Sequence, residues 1–560
     1  MAILQLVAVI VILVFLVKPL GAYIFHVFSN EPNRTDKIFG PIERLIYGLT
    51  GLKNRAEMSW KRYTLSLILT NVILVAVSYL ILRIQKWLPI NPNGIDNMES
   101  TLSFNTVISF MTNTNLQHYS GETGLSYFSQ MAVIMMMMFT SAASGIVVAI
   151  AFIRGLTSKG KTLGNFFTDF VKAHTRLLIP MAIIVTLALV ALKVPQTLSP
   201  TVQATTLEGG TQQIAIGPVA SLVSIKHLGT NGGGFMGVNS SHPFENPNPL
   251  TNVIEMLSMW CIPAALTYTF GRFARNQKQG WVIFSAMLIL FVSFLSIVYT
   301  SELRGNPALN ALGIDASQGS MEGKEVRFGI AQSALFTTVT TAATTGTVNN
   351  MHDTLTPLGG LVPLAQMMLN CVFGGDGVGL VNMLMYAILG VFLCGLMVGR
   401  TPEFMGRKIE AREMKLVAIA ILAHPLIILA PTAIAFLTDL GKGAISNPGF
   451  HGISQVLYEY TSSAANNGSG FEGLADNTTF WNVSTGLVML FGRYVSIVAL
   501  LGVAGSLAAK QWVPETIGTF RTDTKLFTGI LVGIVLIIGA LTFLPALVLG
   551  PIAEHLTLLK

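Results

Sequence analysis

Four short polar clusters, each preceded by an amphipathic run, carry the residue types of an ion-binding site. They are TNTNLQHYSGE at 112–122, GTNGGGF at 229–235, AATTGTVNN at 342–350 and SSAANNGSGF at 462–471. Glycine, asparagine and threonine let backbone carbonyls turn toward a ligand, and hydroxyl and amide oxygens can join them. Such oxygens could replace the water shell of a large monovalent cation. A calcium or magnesium site would need carboxylates, and the clusters have only the flanking Glu122, Glu245 and Glu472.

The composition indicates that a membrane surrounds these clusters. The chain has 560 residues, of which 52% are hydrophobic and 11% charged, and its mean hydropathy is +0.62. These values are typical of multi-span membrane proteins. The net charge of +7 does not indicate nucleic-acid binding, because the basic residues fall in short loops between apolar runs. The three cysteines lie inside apolar runs without metal-ligand spacing, which favours a packing role.

Ten segments are predicted to cross the membrane. Nine are continuous runs: 2–25, 64–88, 126–153, 177–195, 250–271, 280–300, 414–437, 481–506 and 526–549. The tenth, 357–399, is interrupted by the glycine-rich stretch 373–379. Each run is long enough for a hydrocarbon core of about 30 Å.

The distribution of Lys and Arg predicts the topology. The loops 26–63, 154–176, 272–279, 400–415 and 507–525 hold 23 of these residues, whereas 89–125, 196–249, 301–356, 438–480 and 550–560 hold 6. The first set is therefore predicted to be cytoplasmic. Counting 357–399 as one broken passage keeps this alternation, and both termini are then outside.

The clusters recur at nearly constant spacing, which indicates an internal repeat. With Thr112, Thr230, Thr344 and Ser462 as markers, the spacings are 118, 114 and 118 residues. We therefore predict an all-α membrane protein with ten transmembrane helices, in which four pseudo-repeated units of span, pore hairpin and span surround one axis. Irregular backbone at membrane depth is tolerated where it lines an aqueous path. The predicted units are 64–176, 177–279, 280–413 with the broken inward span, and 414–506, with one extra span in each of 1–63 and 507–560.

Several long motifs resemble the KdpA family, the A subunits of bacterial Kdp potassium-transporting ATPases. They are TNTNLQHYSGET at 112–123, LGTNGGGF at 228–235, NSSHPFENP at 239–247, NMHDTLTPLGG at 350–360, GRTPEFMGRKIEAREMK at 399–415 and SSAANNGSGF at 462–471. The resemblance covers essentially the whole chain. It implies a fold shared with Trk, Ktr and HKT potassium transporters, K⁺ as transported substrate, no cofactor, and a location in the bacterial cytoplasmic membrane. The implied partners are membrane lipid and the subunits KdpB, KdpC and KdpF, with ATP bound by the P-type ATPase KdpB and not by this chain.

The resemblance also implies a selectivity filter made from all four clusters. Its residues are Asn113, Thr114, Asn115 and Gln117; Thr230, Asn231 and Gly232; Thr344, Thr345 and Gly346; and Asn466, Asn467 and Gly468. The third cluster departs from the family pattern, because it has Ala-Thr-Thr-Gly where Ala-Ser-Cys-Gly is expected. This exchange of a thiol for a hydroxyl is expected to alter affinity more than selectivity.

The interrupted passage is implied to be a gate beneath the filter. Its candidate residues are Gly374, Gly375, Asp376, Gly377 and Gly379. Asp376 is either an ion-contacting or gating carboxylate, or a solvated loop residue in a cytosolic vestibule. Arg493, midway along the 481–506 run, either repels cations from a straight path to the cytosol or pairs with Asp376 or with helix-end carbonyls.

Two other functions remain open from the sequence. A stand-alone K⁺ channel or symporter of the Trk or Ktr kind would share the filter. An enzyme would use Gly155-Leu-Thr-Ser-Lys-Gly-Lys-Thr162, which matches the phosphate-binding pattern G-x-x-x-x-G-K-[ST]. That stretch follows a predicted membrane helix and not a strand, however, and no soluble α/β domain accompanies it. We therefore expect no catalytic site in this chain.

Overall fold

The computed structural model describes residues 2–29, 31–32, 35–52, 56–158, 160–307, 309, 312–314, 319–514 and 519–559. Within these ranges, ten helices are long and apolar enough to cross a membrane. The helices of at least ten residues are α1 Ala2–Phe28, α2 Asp36–Leu49, α3 Trp60–Arg83, α4 Ser100–Met111, α5 Tyr127–Thr157, α6 Phe166–Ala191, α7 Val219–Leu228, α8 Pro249–Phe273, α9 Gln277–Arg304, α10 Gly329–Ala342, α11 Pro357–Leu369, α12 Val378–Val398, α13 Ala411–Leu437, α14 Phe450–Ala465, α15 Thr479–Ala508 and α16 Lys525–Leu558.

The order of long and short helices repeats four times. A long helix, a short helix and a further long helix follow one another in α3–α5, α6–α8 and α13–α15, and the third unit begins with α9 and α10. Its last passage is divided into α11 and α12, which are separated by residues 370–377. The all-α class, the ten spans and the position of the break are as predicted. We call α4, α7, α10 and α14 the pore helices.

The membrane-spanning helices differ in how much protein surrounds them. In α5 and α8 the most apolar stretch is 83% buried, whereas in α13 it is 17% buried. Helix α1 packs along α8, and an added Cβ at Gly21 would lie 2.6 Å from the carbonyl oxygen of Ala265. The burial values therefore place α5 and α8 at the centre of the molecule and α13 at its periphery.

Two elements differ from the sequence prediction. Helix α6 begins at Phe166, eleven residues before the predicted run, because its polar first turns find partners: Asp169 forms an ion pair of 2.6 Å with Arg154, and Arg176 pairs with Glu43. Helix α2 was not predicted. Its exposed apolar side chains Ile38, Ile42, Leu45 and Leu49 recur at helical spacing, which is typical of a helix lying in the membrane interface.

The helices also cross some predicted unit boundaries. Residues 176–177, 279–280 and 413–414 lie within α6, α9 and α13. The division of the chain into units therefore remains a prediction, with its limits better placed in the loops that flank these helices.

The remaining regular elements are small. Strands β1 Val202–Thr205 and β2 Thr211–Ile214 form one antiparallel hairpin, and β3 Glu403–Phe404 and β4 Arg407–Lys408 form another. The single-turn helices are Gly121–Gly124 and Asp439–Lys442, and 3₁₀ turns lie at Gln85–Trp87, Asn239–Ser241 and His352–Thr354.

The five basic loops lie on one face of the molecule. A cavity of about 1380 Å³ is lined by residues from all five, including Glu57, Lys172, Arg275, Arg407 and Arg521. The loops that the charge rule assigned to one side are therefore together in space. Which side of the membrane this face occupies remains a prediction.

Candidate ion-binding site

The four pore helices end in the same backbone conformation. One of the first two residues after each pore helix has a positive φ: 63° at Asn113, 49° at Thr230, 43° at Thr344 and 56° at Asn466. The next amide donates to a carbonyl five residues earlier, in the pairs Thr114–Ser109, Asn231–Lys226, Thr345–Thr340 and Asn467–Ser462 at 2.7–2.9 Å. This is the six-to-one bond of a Schellman helix end. In the first and fourth loops, the residues equivalent to Thr230 and Thr344 are thus Asn113 and Asn466. The markers chosen from the sequence, Thr112 and Ser462, precede them by one and four residues.

Two of these conformations carry strain. A β-branched residue at positive φ is an outlier, and Thr230 and Thr344 both have this conformation. Strained backbone is concentrated at functional sites, where the surrounding structure enforces it. The strain therefore marks the start of these loops as a functional site.

The four loops converge on one point. An added Cβ at Gly232 in the second loop would lie 2.7 Å from the carbonyl oxygen of Thr114, 2.9 Å from that of Thr345 and 2.8 Å from that of Asn467. One carbonyl oxygen from each of the other three loops thus faces the same position. We call these loops, residues 113–117, 230–234, 344–346 and 466–468, the carbonyl ring.

Hydrogen bonds join each loop or its flank to both neighbours. Asn113 Nδ2 donates to the Thr230 carbonyl at 2.9 Å, Asn467 Nδ2 donates to the Thr340 carbonyl at 3.1 Å, and Asn466 Nδ2 donates to Thr114 Oγ1 at 2.9 Å. The second and third loops are joined by the hydroxyls of Ser240 and Thr347, 3.2 Å apart. The ring is therefore closed, in the order of the four units along the chain.

Gln117 adds a reciprocal pair between the first and second loops. Its Nε2 donates to the Gly234 carbonyl at 3.1 Å, and its Oε1 accepts from the Gly234 amide at 2.9 Å. Both groups of the side chain amide are therefore used by the protein. Gln117 thus fixes the distance between the first and second loops.

The flanking carboxylates are engaged outside the ring. Glu245 forms a buried ion pair with Lys226 and accepts from the Met236 amide at 2.8 Å. Glu122 accepts from the Gly237 amide at 2.8 Å, and Glu472 accepts from the Asp353 amide at 3.1 Å. The ring itself is lined by neutral oxygens, which suits a monovalent ion better than a divalent one.

The interrupted passage lies directly against the ring. An added Cβ at Gly375 would lie 2.7 Å from Thr344 Oγ1, and the Asp376 amide donates to Thr230 Oγ1 at 2.9 Å. Gly374 and Gly379 nearly touch, so that neither has room for a side chain. Residues 374–379 therefore lie against the ring, and their role as a gate stays a prediction.

Comparisons with known proteins identify the family of this chain. The family described as KdpA, potassium-transporting ATPase A subunit, matches residues 7–556. The chain belongs to this family. A relative from Geobacillus kaustophilus (strain HTA426), described as a potassium-transporting ATPase potassium-binding subunit, is 65% identical over 554 residues, which cover 99% of each chain.

The two intramembrane charges of this KdpA-family member lie close to the ring. The side chain of Asp376 is buried, and neither carboxylate oxygen has a hydrogen-bond partner among the described residues. The interpretation of Asp376 as a solvated loop residue is therefore wrong, because the chain packs around it on all sides. Its role as an ion contact or gate remains open.

Arg493 approaches the same place from α15. An added Cβ at Gly145 would lie 3.1 Å from Arg493 Nη2 and would also meet the Asp376 carbonyl. Arg493 Nη2 donates to the Ser141 carbonyl at 3.5 Å, and the described residues show no ion pair with Asp376 within 4.0 Å. Its hydrogen-bond partner is thus a helix carbonyl, while Asp376 lies near enough to interact with it electrostatically.

Ser141 is a ring-supporting residue that the sequence analysis missed. Its hydroxyl lies 2.8 Å from Asn113 Oδ1 and 3.3 Å from Asn231 Oδ1, so its single hydrogen is within reach of side chains of two loops and the shorter bond is to Asn113. The available signal was a run of small polar residues, Thr140-Ser-Ala-Ala-Ser-Gly145, inside an otherwise apolar span. That signal alone does not distinguish support of a site from close helix packing.

The phosphate-binding pattern at 155–162 lacks the required structural context. Residues 155–157 are the end of α5, Thr162 bonds to Glu57, and the next helix begins only at Phe166. Lys159 lies outside the described residues. A helix precedes the motif where a nucleotide site needs a strand, so this stretch supports no catalytic hypothesis.

Proposed function

We propose that this chain is the potassium-binding and translocating subunit of an ATP-driven uptake complex in the bacterial cytoplasmic membrane. One observation carries the proposal: the carbonyl oxygens of Thr114, Thr345 and Asn467 all lie within 2.9 Å of the Cβ position of Gly232. Neutral carbonyl dipoles converging from four loops can replace the hydration shell of K⁺. The name of the Geobacillus relative is consistent with this function.

In this proposal the ring selects K⁺ by holding its oxygens at fixed distances. The filter residues are those expected from the family: Asn113, Thr114, Asn115, Gln117, Thr230, Asn231, Gly232, Thr344, Thr345, Gly346, Asn466, Asn467 and Gly468. Bonds between neighbouring loops, including those of Gln117 and Asn467, resist the contraction that a smaller ion would require. Selectivity then follows from both the number and the rigidity of the ligands.

The proposed path continues from the ring toward a partner subunit. K⁺ enters from the side of the weakly basic loops, where both termini also lie, and reaches residues 374–379 after the ring. The cationic Arg493 opposes straight release to the cytosol, so the ion passes sideways. A P-type ATPase partner, KdpB, binds ATP and supplies the energy, and KdpC and KdpF complete the assembly in the lipid bilayer.

The test is potassium uptake at micromolar K⁺ by cells that lack other uptake systems. The chain is expressed with and without its P-type partner, as wild type, as Gly232→Ala and as Gly533→Ala. Gly533 is the matched control, because an added Cβ there meets no atom within 4 Å.

We expect uptake to require the partner. A methyl group forced against three carbonyls costs about 1–3 kcal/mol, so Gly232→Ala should weaken K⁺ affinity by about tenfold or more and reduce discrimination against Na⁺. Gly533→Ala should behave as wild type. Wild-type uptake kinetics in Gly232→Ala would contradict the proposed filter, and uptake by the chain alone without ATP would favour a Trk- or Ktr-type channel or symporter.

A further inference from the structure

His118, Glu459 and Asp476 form a cluster beside the carbonyl ring that potassium binding does not use. His118 Nε2 lies 3.2 Å from Glu459 Oε1 and 3.8 Å from Asp476 Oδ2. One ligand atom from each residue lies within 4.8 Å of the other two. The three side chains come from the first loop, from α14 and from the loop before α15. The cluster therefore lies across the seam between the first and fourth units.

The hydrogen bonds around His118 orient its ring as in a metal ligand. Asn482 donates from Nδ2 to Thr101 Oγ1 at 3.2 Å, which leaves Asn482 Oδ1 to accept from His118 Nδ1 at 2.7 Å. Nδ1 therefore carries the hydrogen, and Nε2 points at the two carboxylates. Metal-bound histidines are held in this way, with the remote ring nitrogen donating to an oxygen acceptor.

The spacing of the three ligand atoms suits a small tetrahedral ion. Zinc binds nitrogen and oxygen ligands at about 2.0–2.2 Å, so two ligand atoms on one tetrahedron are roughly 3.3 Å apart. The distances from Nε2 to Glu459 Oε1 and to Asp476 Oδ2 bracket this value, and the ligand atoms of the two carboxylates lie within 4.8 Å of each other. The charges also balance, because two carboxylates neutralise one divalent ion when the imidazole is neutral.

We propose that His118, Glu459 and Asp476 bind a divalent transition-metal ion of the zinc class and that this ion fastens the first and fourth loops together. His118 and Glu459 are buried, whereas the Asp476 side chain is 27% exposed, which provides an entry path and room for a water molecule as the fourth ligand. The sequence analysis foresaw no such ion, since the three residues are up to 358 positions apart.

A second histidine cluster shows what distinguishes a chelating arrangement. His451 also contacts two carboxylates, but Asp353 lies 3.0 Å from Nε2 and Glu554 lies 2.9 Å from Nδ1. Carboxylates on opposite ring nitrogens cannot share one ion with the imidazole. His451 is thus an ion-paired histidine, and His451→Gln is a matched control.

The competing occupant of the His118 cluster is a proton. Burial alone would lower the pKa of His118, but Asp476 and Glu459 raise it to about 9, so a proton on Nε2 satisfies the same carboxylates. The test must therefore detect the metal itself.

The experiment measures Co²⁺ and Zn²⁺ binding to the purified full-length protein in its complex, with any affinity tag removed. We expect about one ion per chain above the level of His118→Gln, with the intense visible absorption of four-coordinate Co²⁺. Asp476→Asn, at a partly exposed position that should not impair folding, is expected to weaken binding at least about tenfold. His451→Gln is expected to bind as wild type.

Three results would overturn the proposal. Wild-type protein could bind no more Co²⁺ than His118→Gln. Folded Asp476→Asn protein could retain wild-type affinity. Binding could also fall as much in His451→Gln as in His118→Gln, which would indicate nonspecific binding to surface histidines.

Discussion

At the scale of single residues, the polar side chains of the site fall into two groups: those hydrogen-bonded to other protein groups and those without a protein partner. Gln117 and Asn113 use their amides to hold other loops, whereas both side-chain polar atoms of Asn115 and Thr345 Oγ1 are buried without a partner among the described residues. Thr345 is the position where the resemblance to the family led us to expect cysteine. Its free hydroxyl lies in the carbonyl ring, and we propose that it modulates K⁺ affinity there.

Ser141 offers a test of the support behind the ring. Ser141→Ala removes the hydroxyl that lies within hydrogen-bond distance of Asn113 and Asn231. The lost hydrogen bond is worth about 1 kcal/mol, so K⁺ affinity should fall by about fivefold in an uptake titration. Ser296→Ala is the control, because that exposed hydroxyl bonds only to the Val292 carbonyl of its own helix. Equal affinities in the two variants would contradict the supporting role.

His451 predicts a pH dependence of stability. Burial opposes protonation, but Asp353 and Glu554 raise the pKa of His451 from 6.5 to about 9. Because the pKa of His451 is higher in the folded state than in the unfolded state, its ion pairs stabilise the fold. This stabilisation is complete below about pH 6.5 and is lost as the pH rises through about 9. Thermal unfolding of wild type and His451→Gln should therefore differ most below pH 6.5 and converge above pH 9. A difference that stays constant across this range would contradict the assignment.

At the scale of elements, the interrupted passage is set by glycine geometry. Gly377 has φ of 86°, and an added Cβ would collide with the Gly145 carbonyl of α5, whereas Gly399 has φ of 72° and open space around it. At both positions the positive φ disfavours any residue with a side chain. Only at Gly377 would the side chain also collide with neighbouring atoms.

The pair Gly377→Ala and Gly399→Ala separates the two effects. Backbone strain costs about 1 kcal/mol in both variants, and the clash adds about 1–3 kcal/mol in Gly377→Ala alone. Gly377→Ala should therefore unfold at a clearly lower temperature and lose K⁺-stimulated ATP hydrolysis by the complex. Similar melting temperatures for the two variants would mean that α5 moves away easily and that the packing is loose.

The sequence predicted the membrane-spanning helices better than it predicted the contacts between polar side chains. Hydrophobic length located the ten spanning helices, and the glycines at 374–379 located the break, because both signals are local. The start of α6 was missed because Asp169 and Arg176 are satisfied by Arg154 and Glu43, which are distant in sequence. The support from Ser141 and the cluster at His118 were missed for the same reason.

At the scale of the whole molecule, the five basic loops lie on one face. Each of the four loops of the carbonyl ring follows a pore helix. The topology prediction places residues 154–176 and 400–415 in the cytosol and both termini outside. Cysteines introduced one at a time at exposed loop positions, such as Lys161 and Leu207, should react with a membrane-impermeant maleimide in intact cells only at residue 207. Labelling at residue 161 in intact cells would reverse the orientation.

The most direct test of the central claim is the position of a bound ion. A structure of the complex with Rb⁺ or Tl⁺ in place of K⁺ locates the ion by its anomalous scattering. The account predicts a peak in the carbonyl ring, bonded to carbonyl oxygens of all four loops, including those of Thr114, Thr345 and Asn467. An empty ring with the ion held elsewhere, or a site built by fewer than four loops, would contradict it.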